Sequence, residues 1–392
     1  MDLQQAYESL VHRPILAKLP ELQRNERLKH LIFAQQFDRE MLDHLCQVAS
    51  MIRGISRNRA GQDFLTGLLS HRRAMLYFTQ PSTRTFLSFM AACQILGIVC
   101  NEIRDPTLSS EFKGESPLDS MRMFSSYFDV IIMRSNVAKF AECCAYLMND
   151  LDARQKRSVP ILNAGSGADE HPTQALLDIY TIQRTFEFAS PADTGRSSRF
   201  EQLRKKYPGL TQGLSGKTYG FCGDVGRGRT VRSLSTLLAL WPDVTLYFIY
   251  PDYAKLAPYE DMLSRLREAG VRVKHAHSLA EAAPELDVLY MTRIQHEHDT
   301  DEDRAFFATH DASEFILSPD VLPLMKDYCA IMHPFPRNEE IPVEIDSDPR
   351  AMYFRQARNG MWIRAALLAH VFDVDGKIAS YYQKNYALRT PA

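Results

Sequence analysis

The feature that most constrains the fold of this chain is a repeated alternation of short apolar runs with longer segments of helical periodicity. In the first half, runs rich in β-branched or aromatic residues lie at 74–78, 97–100, 129–133 and 159–162. The segments between them have helical patterns, at 83–96, 117–127 and 136–149. Strands that alternate with helices in this way are typical of βαβ units, whose strands form a parallel sheet.

The same alternation restarts in the second half of the chain. Predicted strands lie at 218–223, 244–250, 271–275, 287–291 and 329–332, and predicted helices lie near 230–240 and 256–269. A helix that begins near Pro172 links the halves, and another near 361–372 follows the second half. With 392 residues the chain has the length of two ordinary domains. We therefore predict two α/β halves with parallel sheets.

Two segments do not fit this alternation. Residues 1–28 are polar and of mixed charge, which suggests an added arm or helix without an assigned role. Residues 187–215 contain Pro, Gly and Ser together with the basic cluster Arg204-Lys205-Lys206. We interpret 187–215 as a surface insertion, and we favour a solvated loop over a partner-binding segment.

Composition excludes several classes of protein. The formal net charge is −2, and a general nucleic-acid or membrane-surface binder would carry a basic excess. No apolar run approaches the length of about 18–20 residues that spans a bilayer. The seven cysteines are scattered without a CxxC pair, which predicts reduced and mostly buried thiols in a cytoplasmic protein.

A phosphate site is one of two interpretations of the segment after the first strand. Ser82, Thr83, Arg84 and Thr85 follow strand 74–78 and open a helical pattern. The free N–H groups and positive potential of a helix N-terminus suit a phosphate, and an arginine there adds charge-assisted hydrogen bonds. A capped helix with a surface arginine explains the same residues equally well.

Other candidate residues of the first half lie in loops. Arg134 ends the apolar run 129–133, at the sheet edge where open α/β sheets bind ligands. His171 precedes a predicted helix that starts at Pro172, and from there an imidazole could polarise a carbonyl oxygen. Taken alone, Ser109 and Lys113 are more typical of a solvated turn, and His171 is more typical of an ordinary cap.

The second half contains a segment that nearly matches a nucleotide-binding loop. Residues 223–230 follow a strand and have P-loop spacing, but Arg229 replaces the defining lysine. A site for a carboxylate fits this segment as well. Arg293 and Gln295 follow strand 287–291 at the same kind of edge. The adjacent run 296–299 contains potential metal ligands but no second spaced set, so we expect an exposed polar loop and predict no metal site.

A rigid bend follows the last predicted strand. His333, Pro334, Phe335 and Pro336 contain two prolines, which fix the backbone and leave carbonyl oxygens without local partners. Such carbonyls could accept hydrogen bonds from an amide NH2 group. A rigid loop without a binding role is an equally good explanation.

Taken together, these segments resemble the aspartate carbamoyltransferase catalytic chain of the aspartate/ornithine carbamoyltransferase family. Eight blocks match in the family's order, over roughly residues 30–372: FTQPSTRTFLSF, SSEFKGES, VIIMR, ILNAGSGADEHPTQALLDIYTI, GDVGRGRTVRSL, DVLYMTRIQ, MHPFPRNEEI and YFRQARNGMWIRAALL. The resemblance implies two doubly wound α/β domains with parallel sheets and an interdomain active site. It places a carbamoyl-phosphate-binding domain at 1–172, together with the C-terminal helices 360–392, and an aspartate-binding domain at 173–359.

The resemblance also implies a role for each candidate residue. Ser82, Thr83, Arg84 and Thr85 would bind the phosphate with Arg134, and Ser109 and Lys113 would reach in from a neighbouring subunit of a homotrimer. Thr85, Arg134 and His171 would hold the carbonyl oxygen. Gln174 and the backbone near Pro334 and Phe335 would hold the carbamoyl NH2. Arg229 would bind the α-carboxylate of aspartate, Arg293 and Gln295 would bind its β-carboxylate, and Lys113 would also contact aspartate.

The implied reaction transfers the carbamoyl group of carbamoyl phosphate to L-aspartate, a step of pyrimidine biosynthesis, without a cofactor. Aspartate is favoured over ornithine because the 333–336 block lacks the cysteine of the ornithine enzymes and because Arg293 calls for a second carboxylate. The alternatives are another amino-acid acceptor or a non-catalytic structural role. A regulatory or dihydroorotase partner is left open, and neither nucleic acid nor a membrane is expected as a partner.

Overall fold

The computed structural model describes residues 6–105, 114–157, 159–165, 170–188, 199–294, 299–309 and 313–386. It divides the chain into two compact units. The first unit contains the described residues up to Leu177 and from Arg358 onward, and the second contains Asp178–Phe188 and the described residues from 199 to Ala357. Both changes from one unit to the other fall within helices.

The bounds of the regular elements are as follows. The strands are β1 Gln23–Arg24, β2 Arg27–Leu28, β3 Arg73–Phe78, β4 Val99–Ile103, β5 Val130–Arg134, β6 Ile161–Asn163, β7 Thr218–Cys222, β8 Thr245–Ile249, β9 Arg272–Ala276, β10 Val288–Met291 and β11 Ala330–Met332. The helices are α1 Glu8–Val11, α2 Ile15–Lys18, α3 Arg39–Ile55, α4 Arg59–Leu68, α5 Thr83–Ile95, α6 Pro117–Tyr127, α7 Phe140–Gln155, α8 Pro172–Thr185, α9 Arg199–Lys206, α10 Arg229–Leu238, α11 Glu260–Glu268, α12 Leu279–Ala282, α13 Asp301–Thr309, α14 Tyr353–Val371 and α15 Asp375–Asn385.

The sheet of the first unit has the strand order β4-β3-β5-β6, and all of its pairs are parallel. Every residue of β5 is buried, as expected for a strand with helices on both faces of its sheet. By contrast, β4 lies at the edge and exposes Val99, Asn101 and Glu102. The parallel α/β fold predicted from the sequence is therefore confirmed for this unit.

The sheet of the second unit has the order β11-β10-β7-β8-β9 and is also parallel throughout. The inner strand β8 is buried along its whole length, whereas the edge strand β9 is largely exposed. Each strand predicted for this half is present, and its bounds differ from the prediction by at most one residue at either end. The predicted C-terminal helix begins earlier than expected, at Tyr353.

Residues of the N-terminal arm dock onto helix α7. Lys18 and Glu142 are both buried, and their Nζ and Oε1 atoms lie 2.7 Å apart. The same ammonium donates to the Val11 carbonyl at 2.7 Å, and the Tyr146 hydroxyl donates to the Glu142 carboxylate at 3.1 Å. Every residue of α7 from Phe140 to Met148 is buried, and Val11 of the arm packs against the core cluster that includes this helix, so the arm is part of the core of the first unit.

We expect the Lys18→Met substitution to lower the free energy of unfolding by about 3 kcal/mol, because it leaves the Glu142 carboxylate buried without its cation. Urea unfolding of the full chain measures the loss. The double variant Lys18→Met/Glu142→Leu should recover most of it, since the uncompensated charge is then gone. Equal losses in the single and double variants would contradict a role for the ion pair.

The prediction of a solvated loop at 187–215 is wrong for the described part of that segment. Residues 199–206 form helix α9, whose Phe200 side chain is fully buried, and Leu214 is buried as well. The Phe188 and Phe200 rings pack edge to face at 5.1 Å. The basic cluster lies in the last turn of α9, where cations complement the helix dipole, and Lys206 pairs with Asp327.

The C-terminal helix α15 belongs to the first unit. Its Asp375 carboxylate accepts from Arg27 at 2.7 and 2.8 Å and lies 2.9 Å from His44 Nε2. His44, His370 and Asp375 have the residue types of a metal site. Because the Arg27 guanidinium already occupies both carboxylate oxygens, we assign this cluster to an ion-pair network that joins three segments of the unit.

All seven cysteines are free thiols, and six of them are buried, which agrees with the sequence prediction; Cys100 is partly exposed. Within the described ranges, no helix combines the length and the apolar composition that crossing a bilayer requires.

Candidate functional site

The candidate phosphate-binding residues of the first unit lie at the start of helix α5. Ser82 occupies the N-cap position, and its side chain caps no backbone N–H of the first turn. Thr85 is buried and Arg84 is exposed. Desolvation lowers the pKa of the Arg84 guanidinium below its ordinary value, but the group remains a cation at neutral pH. The first turn therefore combines backbone donors, a positive helix terminus and an arginine.

Arg134 lies beside the loop that leads into α5. It is the last residue of β5 and pairs in register with Phe78, the last residue of β3. The backbone N–H of Gln80 donates to the Arg134 carbonyl at 3.3 Å. The buried Arg134 side chain donates from Nη1 to the Ala164 carbonyl at 3.2 Å. The sheet thus holds this buried cation at the edge that leads to the candidate phosphate-binding residues Ser82–Thr85.

Arg134 and His171 converge on Gly165. This glycine has a φ of +110°, and a Cβ atom built on it would lie 2.5 Å from Arg134 Nη1 and 3.0 Å from His171 Cδ2. His171 is buried and directly precedes α8, as the sequence predicted, and its carbonyl accepts from the backbone N–H of Gln174 at 3.0 Å. Only a residue without a side chain leaves both groups in place here.

Arg364 was missed by the sequence analysis, although it lies in one of the matching blocks. Its buried guanidinium donates to Ser88 Oγ at 2.7 Å and to Thr173 Oγ1 at 3.3 Å. Its charged centre also lies 4.7 Å from the Phe89 ring centroid. Ser88 belongs to α5 and Thr173 to α8. This side chain of α14 therefore links the helix that carries the candidate phosphate-binding residues to the helix that follows His171. An arginine in an otherwise apolar helical run was the available signal.

In the second unit, two candidate arginines follow adjacent strands. Arg229 is the first residue of α10, after the loop that leaves β7, and Arg293 follows Thr292 at the end of β10. The strands pair through Cys222 and Met291. Gly223 has a φ of +106°, and a Cβ atom there would lie 2.1 Å from the Thr292 carbonyl oxygen. The two half-buried arginines therefore leave the same edge of the sheet, from loops that touch each other.

Arg227, two residues before Arg229, is paired with two carboxylates. It donates to the Asp224 carboxylate and to the Asp299 carboxylate, each at 2.9 Å. The expectation of an exposed loop at 296–299 is consequently wrong for Asp299, which is buried in this ion pair. The other three residues of that run lie outside the described ranges. These two ion pairs brace the loop on which Arg229 is carried.

The bend at 333–336 is held by hydrogen bonds to His333. Its Nδ1 accepts from the Phe335 backbone N–H at 2.8 Å, so the neutral ring carries its proton on Nε2, which lies 2.8 Å from the Glu340 carboxylate. Burial raises the pKa of Glu340, but the hydrogen bond from His333 and backbone N–H groups lower it below its ordinary value overall. Gln356 accepts from the His333 N–H and donates to Asp178, at 2.8 and 2.6 Å.

The described residues therefore contain two clusters of polar candidate residues, one in each unit. The first unit brings together Ser82–Thr85, Arg134, His171 and Gln174, and the second brings Arg229, Arg293 and the 334–335 bend to one sheet edge. Ser109, Lys113 and Gln295 lie outside the described residues.

Family models match both units. A model described as the carbamoyl-phosphate-binding domain of aspartate/ornithine carbamoyltransferase matches residues 29–184. A second, described as the aspartate/ornithine-binding domain, matches residues 215–371. The chain belongs to the aspartate/ornithine carbamoyltransferase family.

Relatives within this carbamoyltransferase family cover most of the chain. It is 37% identical over 345 residues to aspartate carbamoyltransferase 1, chloroplastic, of Pisum sativum, a match over 87% of this chain and 78% of the relative. It is 35% identical over 345 residues to the aspartate carbamoyltransferase catalytic subunit of Chromobacterium violaceum, over 88% and 98% respectively.

A solved carbamoyltransferase has the same fold. The Trypanosoma cruzi aspartate transcarbamoylase, crystallised with carbamoyl phosphate and aspartate, superposes with a TM-score of 0.72 at 34% identity, over 87% of this chain and 96% of that one. The polar cluster of the first unit falls within the residues matched by the carbamoyl-phosphate-binding model. The arginines of the second unit fall within those matched by the aspartate/ornithine-binding model.

Proposed function

We propose that this chain transfers the carbamoyl group of carbamoyl phosphate to the amino group of L-aspartate, giving N-carbamoyl-L-aspartate and phosphate. The observation that carries the proposal is the convergence of Arg134 and His171 on Gly165. This convergence lies next to the strand end that leads to the candidate phosphate-binding residues of α5. Family membership supports the same reaction.

The phosphate of carbamoyl phosphate is assigned to the first turn of α5. Its N–H groups, the Ser82 and Thr83 hydroxyls and the Arg84 guanidinium offer donors to a dianion, and Arg134 adds a second cation. Ser109 and Lys113 are assigned to the same phosphate from a neighbouring subunit, with Lys113 also contacting aspartate.

The carbamoyl group is assigned to donors and acceptors around Arg134. Attack by the amine makes the carbonyl carbon tetrahedral and places negative charge on its oxygen. Thr85, Arg134 and His171 would donate to that oxygen, and pre-oriented donors stabilise developing charge most when they are buried. Gln174 and the carbonyls near Pro334 and Phe335 would accept from the carbamoyl NH2 and so fix the orientation of the reacting carbon.

The acceptor amino acid is assigned to the second unit. Arg229 would pair with the α-carboxylate of aspartate, while Arg293 and Gln295 would pair with the β-carboxylate. An arginine at each end selects a dicarboxylate, because an ornithine ammonium would face Arg293 and repel it. Aspartate is therefore the proposed acceptor.

The deciding experiment offers the purified chain carbamoyl phosphate with aspartate, ornithine or another amino acid, and identifies the products by mass. Carbamoyl aspartate should form at a rate at least about 100-fold above the other products, because a like-charge contact with Arg293 costs several kcal/mol and a neutral side chain leaves Arg293 without a carboxylate. A preference for ornithine would overturn the acceptor assignment, and no product with any amine would support a structural role.

The proton of the attacking amine is assigned to the departing phosphate rather than to a side chain. If this is correct, the His171→Gln variant should lose roughly tenfold in kcat, since the glutamine amide still offers a donor, and should keep the wild-type pH profile. A general base loses activity on protonation, so disappearance of the limb that falls at low pH would identify His171 as the base.

The assembly is proposed to be a homotrimer in the cytoplasm, with carbamoyl phosphate and aspartate as its small-molecule partners and pyrimidine biosynthesis as its setting. Mass measurement of the purified chain in solution tests the trimer. A monomer with full activity would exclude the assignment of Ser109 and Lys113 to a neighbouring site.

A further inference from the structure

Asp178 is a buried carboxylate of α8 to which the proposed reaction assigns no role. It belongs to the second unit, and its side chain is fully buried. The Tyr290 hydroxyl donates to its Oδ2 at 2.8 Å, and Gln356 Nε2 donates to its Oδ1 at 2.6 Å. Distances this short are typical of hydrogen bonds to a charged acceptor. Each oxygen of this buried carboxylate therefore has a side-chain donor from a different segment of the unit.

The direction of these hydrogen bonds is fixed at the His333 backbone. The His333 N–H can only donate, and it bonds to Gln356 Oε1 at 2.8 Å. The Gln356 amide must therefore turn its Nε2 towards Asp178, which has to accept. An ionised carboxylate accepts from both Gln356 and Tyr290, whereas an asparagine has one oxygen and would turn its own NH2 onto one of the two donors. The arrangement thus requires aspartate at position 178.

The two segments that Asp178 holds are neighbouring strand ends of the second sheet. Tyr290 lies in β10 and pairs in register with Met332 of β11. Arg293 follows Tyr290 by three residues, and the bend at 333–336 begins directly after Met332. The proposed function assigns the β-carboxylate of aspartate to the first segment and the carbamoyl NH2 to the second. One carboxylate therefore ties together both segments of this unit that are assigned to those groups.

We propose that Asp178 is a positioning residue for the acceptor amino acid. Through Tyr290 it fixes the end of β10 from which Arg293 leaves, and through Gln356 it fixes the backbone of the bend at His333. The inference rests on the proposed function, because it concerns the placement of aspartate in that reaction. Asp178 is assigned no contact with either substrate, so its loss should act on how aspartate is bound and aligned.

The test is Asp178→Asn in the full chain, with steady-state kinetics in which both substrates are varied. The aspartate KM should rise roughly tenfold and kcat should fall about threefold, because the β-carboxylate ligands and the bend both lose their alignment. The dissociation constant of inorganic phosphate, measured by calorimetry, should stay within about twofold of the wild-type value. Its assigned ligands lie in the first unit, so it reports whether that unit is intact.

Asp287→Asn is the matched control. Asp287 is also buried and directly precedes β10, at the opposite end of the strand from Arg293. Its carboxylate accepts from the Thr218 backbone N–H at 2.7 Å and from Lys326 at 2.8 Å. This variant should lose stability but keep its aspartate KM within about twofold. An equal rise in KM for both variants would show a general loosening of the sheet and would overturn the positioning role.

Tyr290→Phe is a milder variant that keeps the ring and removes one hydrogen bond. It should raise the aspartate KM roughly threefold. The double variant Asp178→Asn/Tyr290→Phe should be no worse than Asp178→Asn alone, since the hydroxyl acts through the carboxylate. Losses that simply multiply in the double variant would contradict this route.

Hydrogen exchange read by mass spectrometry gives a second measurement that does not depend on turnover. Peptides that contain His333 should exchange faster in Asp178→Asn than in the wild type, and unchanged in Asp287→Asn. If the wild type forms carbamoyl aspartate while Asp178→Asn changes neither the aspartate KM nor this exchange, the positioning role is wrong and the proposed function stands. If the wild type forms no carbamoyl aspartate, the proposed function is wrong, and a role in placing aspartate is wrong with it.

Discussion

Replacement of Arg134 by alanine is expected to lower kcat/KM by roughly 10³-fold, about 4 kcal/mol of transition-state stabilisation. The side chain is buried at the end of β5 and converges with His171 on Gly165. It is assigned to both the departing phosphate and the carbonyl oxygen, so its loss removes donors that strengthen as the reaction proceeds. Steady-state kinetics with both substrates varied measures the effect.

The matched control is Arg122→Ala, which removes an exposed arginine of α6 and should leave kcat/KM within about twofold of the wild type. A conservative variant, Arg134→Lys, keeps the charge but not the planar fork, and should recover only part of the activity. Circular dichroism and thermal unfolding verify that Arg134→Ala remains folded. Retention of more than a tenth of the wild-type kcat/KM by a folded Arg134→Ala protein would exclude the assigned role.

The sequence predicts much of this fold because the sheets are parallel and buried. A strand such as β5, with Val130 to Met133 in one unbroken apolar run, has few alternatives when turn signals and helical patterns flank it. The candidate residues are predictable for a related reason. Arg134 ends a strand, Arg229 and Arg293 lie in the sequence after strands, and the carboxyl ends of parallel strands share one edge of their sheet.

Contacts between segments far apart in the sequence are what the pattern does not contain. Arg364 donates to Ser88 and Thr173, which are 276 and 191 residues away, and no local periodicity indicates such a pair. The role of the arm could not be predicted for the same reason, because a lysine in a polar segment gives no sign of a buried carboxylate partner. Helix α9 was hidden by the Pro, Gly and Ser around it, although Phe200 anchors it.

Replacement of Gly165 by alanine is expected to reduce kcat/KM by roughly 10³-fold. In the sequence this glycine is one member of a matching block without an assigned role, whereas the structure packs Arg134 Nη1 and His171 Cδ2 against the position of the missing side chain, at 2.5 and 3.0 Å. A methyl group must displace both, and each is assigned to the reacting carbonyl oxygen. Kinetics of the folded variant measures the loss.

Backbone strain alone must be separated from this displacement, because an alanine at a φ of +110° is strained whatever surrounds it. Gly270→Ala is the matched control: its φ is +79°, and a Cβ atom there meets no heavy atom within 4 Å. Both variants should lose stability, by about 1–2 kcal/mol from strain, but only Gly165→Ala should lose activity at a temperature where both are folded. If the two variants keep equal activity, Arg134 and His171 do not act together at Gly165, and the proposed placement of the carbamoyl group is wrong.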